Sequence, residues 1–365
     1  MTSRAVDVQG YADARFAAVR ECFAEVLDLQ RGAGAALAAS CDGRLVVDLW
    51  GGRAGRAPGR QWQAGSLVQP YSVSKPFAAV CALRLAETGQ LDPDAPVQRY
   101  WPEFRAPATV RHVLSHQAGV VLLDRPAPTE VFYDWGRLCA LLAAQEPCWE
   151  PGTAHGESAL FYGHLVGEIV RRVDGRSIGR FLREEVCGPL GLEFFFGLTP
   201  SEQTRAVDIA GLDAAFRAAN SAGRPPLYER AIGNPPGAQD ADVVNGPAWR
   251  AAEIPAVNGH GTARAVAAFY QALMSGDVLG PGMLAEAVTA QTTGVDLVFG
   301  QPNSWGLGFG IDDDGYGMGG LGGSYGGSST AGGYAVGFVT GSAGDHDRAD
   351  ALENALRDCL GLRAR

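Results

Sequence analysis

Apolar positions along the chain repeat with two periods, and their order predicts the architecture. Over 13–29, Phe16, Val19, Phe23, Val26 and Leu27 share one helical face, with charges opposite. The runs 35–40 and 45–50 read as strands, joined by Asp42-Gly43, a pair that favours a tight hairpin turn. A helix is predicted over 72–87. Pro76 is tolerated only in a first turn, which fixes the start near Ser72, and Gly89 follows the end as a cap. Helical pattern continues over 110–114, 134–144, 159–173 and 177–186. Across 197–256 periodicity fades and turn dipeptides such as Pro225-Pro226 dominate, which predicts a long ordered surface loop near a site. Thr262 caps a helix that presents Val266, Phe269, Tyr270 and Leu273. The segments 305–311 and 333–340 alternate like strands, and a last helix over 347–360 presents Leu352, Leu356 and Cys359.

This order predicts an α+β fold: one antiparallel sheet built from both chain ends and flanked by helices, with a mostly helical domain inserted. The sheet part is expected at 1–75 and 255–365, the helical and loop part at 76–254, within a single module. No internal repeat of 20 to 50 residues is visible.

Composition narrows the partners. The chain is 46% hydrophobic with seven Trp, enough for a large core. A net charge of −10 argues against nucleic acid, and no basic amphipathic run suggests a membrane surface. A small-molecule substrate is the partner that remains. The first residues lack an apolar core of signal-peptide length, and the apolar run 33–39 is too short to span a bilayer, so a cytoplasmic location is expected. The seven cysteines are scattered without a Cys-x-x-Cys pair and read as reduced, mostly buried small hydrophobes. No cofactor is implied, and nothing in the pattern speaks to oligomeric state.

Candidate chemistry starts from one cation. Of the 30 Lys and Arg residues, Lys75 alone is Lys. Arg keeps its proton in a protein, whereas a buried Lys can become a neutral base. Lys75 lies three residues after Ser72, so on a helix the two face the same way, and the helix N-terminus directs backbone N–H groups at the site. Two competing motifs are weaker. Gly322-Gly323-Ser324-Tyr325-Gly326 matches a nucleophile elbow, but more Gly and Ser follow where a helix should. Gly317-Met318-Gly319-Gly320-Leu321-Gly322 matches a dinucleotide fingerprint without the surrounding βαβ unit. Both read more simply as a Gly-rich strand edge that something approaches closely. His112 and His116, spaced i, i+4, lack a third metal ligand and read as a hydrogen-bonded structural pair.

Across nearly its whole length the chain resembles the serine β-lactamase/penicillin-binding-protein superfamily, in its esterase-like, class C-related branch. The residues that carry the likeness are Tyr71-Ser72-Val73-Ser74-Lys75, Val113-Leu114-Ser115-His116-Gln117-Ala118-Gly119, Glu150-Pro151-Gly152-Thr153, Gly188-Pro189-Leu190-Gly191-Leu192, Asn258-Gly259-His260-Gly261 and Trp305-Gly306-Leu307-Gly308-Phe309-Gly310. The resemblance implies the β-lactamase/transpeptidase-like fold with the site between sheet and helices. It also implies an acylated Ser72, deprotonated with help from Lys75. The second motif, usually headed by Tyr, falls at Glu157, with Tyr162 or Tyr133 as alternative partners. The third, usually headed by Lys or His, falls at Met318-Gly319-Gly320. The Leu321 backbone N–H would then join that of Ser72 in holding an oxyanion. Substrate contacts are expected from the loops 133–149 and 225–249 and from Trp305.

Three readings follow. The first is a serine hydrolase or acyltransferase acting on a small ester, thioester or amide through acyl-Ser72. The second is a repurposed biosynthetic transferase, cyclase or lyase that uses Glu157 as acid or base. The third is a binding protein on an enzyme fold.

Overall fold

A computed structural model describes residues 7–29, 33–55 and 59–364. Its centre is a sheet of nine strands: β1 (Val8–Ala12), β2 (Ala35–Cys41), β3 (Arg44–Gly51), β4 (Thr292–Val295), β5 (Pro302–Trp305), β6 (Gly310–Ile311), β7 (Gly315–Gly319), β8 (Tyr325–Ser329) and β9 (Tyr334–Thr340). Their order across the sheet is β1-β3-β2-β9-β8-β7-β6-β5-β4, antiparallel throughout. The join between the two chain ends is the β2–β9 pairing, from Ala35 opposite Thr340 to Cys41 opposite Tyr334. The sequence pattern had implied this α+β sheet assembled from both ends.

Helices cover both faces. Helix α1 (Ala17–Leu29) packs Val19, Phe23, Val26 and Leu27 with the last helix, Asp347–Leu360, against Leu37, Val47, Leu49, Val336 and Phe338. The opposite face takes the helix Ala263–Ser275, whose Val266, Phe269, Tyr270 and Leu273 join the larger core. Each of these large side chains contributes about 1.5–3 kcal/mol on burial. Coverage on both sides explains why β2 and β9 carry no polar face. All seven residues of each are buried, so the alternation expected over 333–340 does not sort inside from outside.

Beyond the sheet, helix Lys75–Glu87 lies against Tyr162–Asp174, within the same core. The segment 197–256 departs from the loop that its weak periodicity predicts. It folds into five short helices: Pro200–Gln203, Ala214–Ser221, Pro226–Gly233, Ala241–Val244 and Pro247–Ala251. Three of them have Pro at the first or second position, and three are capped by Thr199, Asp213 or Asp240 side chains. Helices of four to eight residues are too short for a 3.6-residue period to show. Likewise 305–311 is not one strand, because residues 306–309 form a turn between β5 and β6.

Candidate active site

Ser72 sits in a tight turn before a helix. Tyr71 has φ +51°, a left-handed conformation that costs a non-Gly residue of order 1–3 kcal/mol unless its surroundings impose it. Here the surroundings do: Tyr71 is buried and its hydroxyl donates to the Ala238 carbonyl at 3.0 Å. A 3-10 turn, Tyr71–Ser74, leads into the helix Lys75–Glu87, with Pro76 in its first turn as its lack of an N–H requires. Ser72 and Lys75 therefore face the same way.

Lys75 is fully buried. Its Nζ donates to Ser72 Oγ at 2.6 Å and to the Ala256 carbonyl at 3.2 Å, and lies 2.9 Å from Glu157 Oε1. Ser72 Oγ in turn donates to the same Glu157 oxygen across a long 3.4 Å. Burial lowers the pKa of Lys75, while the charge and hydrogen bond of Glu157 oppose that shift. The three groups form a closed triangle in which Ser72 touches both a cation and a carboxylate.

Glu157 lies outside any helix or strand, and its neighbours fix it. Its N–H donates to Asp296 Oδ2 at 2.9 Å, and the Ser158 N–H donates to His116 Nδ1 at 3.2 Å. The two His residues are structural, but they do not bond each other. His112 Nδ1 accepts from the Thr109 N–H in a capping box, and His116 lies past the helix with φ +60°. Tyr162, the alternative partner, is fully buried and donates to the Leu114 carbonyl at 3.1 Å. Tyr133 is 38% exposed and does not line the cavity at Ser72.

The end of β7 closes the site. A Cβ on Gly320 would sit 2.0 Å from the Pro70 carbonyl and 3.4 Å from Ser72 N, so only glycine lets this strand approach the turn that carries Ser72. Among the described residues no acceptor takes the N–H of Ser72 or of Leu321. Met318 is buried and faces a neighbouring cleft that it shares with Trp305 and Glu157. The Trp305 ring lies 4.4 Å from that of His116. Ser324, the competing elbow serine, is buried, accepts from the Thr340 N–H and precedes strand β8 rather than a helix.

The cavity at Ser72 measures about 360 Å³, near the lower end of the roughly 300–1,000 Å³ usual for small-molecule sites. Glu157, Leu160, Val257 and Leu321 line it, together with Tyr228 from the 225–249 segment expected to reach the substrate, and with Arg224, Phe299 and His346, which the sequence did not mark as substrate contacts. Arg224 comes from the connection between two short helices within 197–256, so its only sequence signal was proximity to Pro225-Pro226. Asp296, which holds Glu157 in place, left no signal at all.

The β-lactamase family model matches residues 19–358. The chain belongs to the Beta-lactamase family. Within it, an esterase/β-lactamase from Mycobacterium tuberculosis is 37% identical over 284 residues, which cover 74% of this chain and 65% of that protein. The chain thus spans less than two thirds of the length of the curated relatives it matches. Two crystal structures match almost end to end. A family VIII carboxylesterase superposes with a TM-score of 0.88 at 33% identity, covering 97% of this chain and all of that one. A penicillin-binding-protein homologue from Caulobacter crescentus gives 0.87 at 33%, with the same coverage. The β-lactamase/transpeptidase-like fold is established on both counts.

Proposed function

We propose that this chain is a serine acyl-transfer enzyme that hydrolyses or transfers the acyl group of a small ester through acyl-Ser72. The observation that carries this reading is the contact of Lys75 Nζ with Ser72 Oγ at 2.6 Å, completed by Glu157 on the same triangle. Relatives named esterase and carboxylesterase support the ester as substrate class. As Ser72 Oγ bonds to the ester carbonyl carbon, its proton passes into the Lys75–Glu157 pair. The carbonyl π electrons move onto oxygen, and the Ser72 and Leu321 N–H groups donate hydrogen bonds to the oxyanion that forms. Collapse breaks the C–O bond to the alcohol, which leaves with the proton held by the pair. Water or a second alcohol then attacks the acyl-serine, gives its proton to Glu157, and Ser72 leaves with that proton. Removing one oxyanion donor of this kind costs about 10²–10³ in rate, and removing a general base about 10²–10⁴.

Glu157 lines both the Ser72 cavity and the neighbouring cleft. That position favours one rival reading, in which Glu157 alone moves protons on a substrate that is never attached. Intact-protein mass after incubation with a p-nitrophenyl ester or a fluorophosphonate separates the two. The acyl-transfer reading requires a mass gain in wild type and none in Ser72→Ala. Labelling that persists in Ser72→Ala, or none in folded wild type, overturns it. We place the protein in the cytoplasm as part of this reading, since its seven cysteines stand free, as suits a reducing compartment.

A further inference from the structure

We infer that Arg224 selects the substrate, which is an ester bearing a carboxylate group that binds its guanidinium. The inference rests on the acyl-transfer reading for the word ester, and on the cavity alone for the carboxylate. Arg224 lies between the helices Ala214–Ser221 and Pro226–Gly233 and lines the Ser72 cavity. Its Nε donates to the Asn220 carbonyl at 3.2 Å and its Nη1 to the Phe299 carbonyl at 2.9 Å. The guanidinium stands 5.4 Å from the Phe299 ring centroid and 5.7 Å from that of Tyr228. Two carbonyls and two rings thus hold the fork in one orientation before any ligand arrives.

What the fork lacks is an anion. No carboxylate pairs with Arg224 among the described residues, and its Nη2 has no partner there. Half-buried Arg111, Arg172 and Arg176 meet carboxylates, whereas Arg20, Arg60, Arg84 and Arg348 spend N–H groups on backbone carbonyls away from Ser72; of all these arginines, Arg224 is the one that lines the cavity. Within the cavity the other charges are placed differently. Glu157 is engaged by Lys75, and Asp345 enters on the Gly322–Gly323 side, where its backbone crowds Gly323. A planar, oriented and uncompensated guanidinium beside apolar walls is the arrangement that recognises a carboxylate in preference to a neutral group. It also supplies the positive charge that Met318 does not bring to the third motif.

The rest of the cavity limits the ligand. At about 360 Å³, lined by Leu160, Ile232, Val257 and Leu321, it accommodates a short apolar chain between the ester and its charged end. Half-esters of short dicarboxylic acids have this form.

The test uses full-length Ser72→Ala, which keeps the cavity but cannot be acylated. Calorimetry would measure binding of the monomethyl esters of succinate, glutarate and adipate, and of the corresponding neutral dimethyl esters. At least one monoester should bind tenfold or more tighter than its diester, and adding Arg224→Gln should abolish that preference, with Arg224→Lys restoring part of it. Equal affinity for the two forms, no measurable monoester binding, or a preference that survives Arg224→Gln overturns the proposal. Thermal unfolding of each variant shows that the fold is intact. Turnover by the wild type is read separately: a bound monoester that is never cleaved defeats the acyl-transfer reading and leaves the Arg224 assignment standing.

Discussion

Asp296 Oδ2 accepts the backbone N–H of Glu157 at 2.9 Å, so one fully buried carboxylate positions another from 139 residues away. The other oxygen of Asp296 accepts the N–H groups of Val298 and Phe299, each at 2.8 Å. The same side chain therefore fixes the residue that faces Lys75 and the turn that carries the Phe299 carbonyl to Arg224.

Asp296→Ala removes the acceptor for three backbone N–H groups. Leaving buried donors unpaired costs about 1–3 kcal/mol each where water cannot reach them. We predict a loss of about 3 kcal/mol in urea unfolding, together with a fall in esterase activity because Glu157 is released. Wild-type stability in Asp296→Ala would show that the contact holds nothing.

Glu157→Gln keeps the shape of the side chain and removes its charge. The Lys75 ammonium then lies buried without a counter-charge, and its pKa falls further because burial is no longer opposed by Glu157. Ester turnover should fall about 10²–10⁴-fold, the range for loss of a general base. Steady-state kinetics on a p-nitrophenyl ester read this directly, and a loss of less than threefold would remove Glu157 from the proton path.

Gly320→Ala tests the closeness of β7 to the Ser72 turn. The added Cβ would meet the Pro70 carbonyl at 2.0 Å, far inside contact distance, so strand or turn must move. Overpacking of this kind costs about 1–3 kcal/mol. The displaced Ser72 and Leu321 N–H groups should also slow fluorophosphonate labelling at least tenfold. Unchanged labelling and stability would mean that the two backbones are not pressed together.

Acid stability should be governed in part by buried histidines. Burial pushes His164 and His260 down to about 3 in the folded state, well below the unfolded value near 6.5. Below pH 6.5 the unfolded chain binds protons that the folded one refuses, so stability is full above that pH and declines as pH falls toward 3. Each histidine then removes about 1.4 kcal/mol per pH unit. His164, packed 4.7 Å from the Trp135 ring with neither ring nitrogen bonded among the described residues, is the better probe. His164→Leu should recover about 2 kcal/mol at pH 5 relative to pH 7.5 in paired urea titrations, and an unchanged pH slope would refute this.

The parts of the site that were legible in the sequence are those encoded within a few neighbouring residues. The lone lysine, a serine three positions earlier and a proline that must lie in a first turn together specify a helix start, and helix geometry alone then brings Ser72 and Lys75 to one side. The glycines around 320 likewise announced a close backbone approach without saying to what. The periods of 13–29, 262–273 and 347–360 named the helices that cover the sheet, because each buries one face and leaves the other in water.

Where the pattern failed, tertiary burial had erased it. Strands β2 and β9 are covered on both faces, so every side chain is buried and no period of two sorts them. The helices of 197–256 are each shorter than three turns, and their caps and prolines carry more of their definition than any apolar stripe. The wall of the cavity was beyond local reading for a stricter reason. Asp296, Arg224 and Glu157 act through contacts that span 75 to 139 residues, and the free energy that selects those contacts exists only when the chain is folded around them. The sequence by itself determined the Ser72–Lys75 pairing and the class of fold. Only the tertiary structure decided between Glu157 and the two tyrosines as the group facing Lys75, and set Arg224 on the cavity wall without a carboxylate, because charge pairing depends on distance in space and on the exclusion of water.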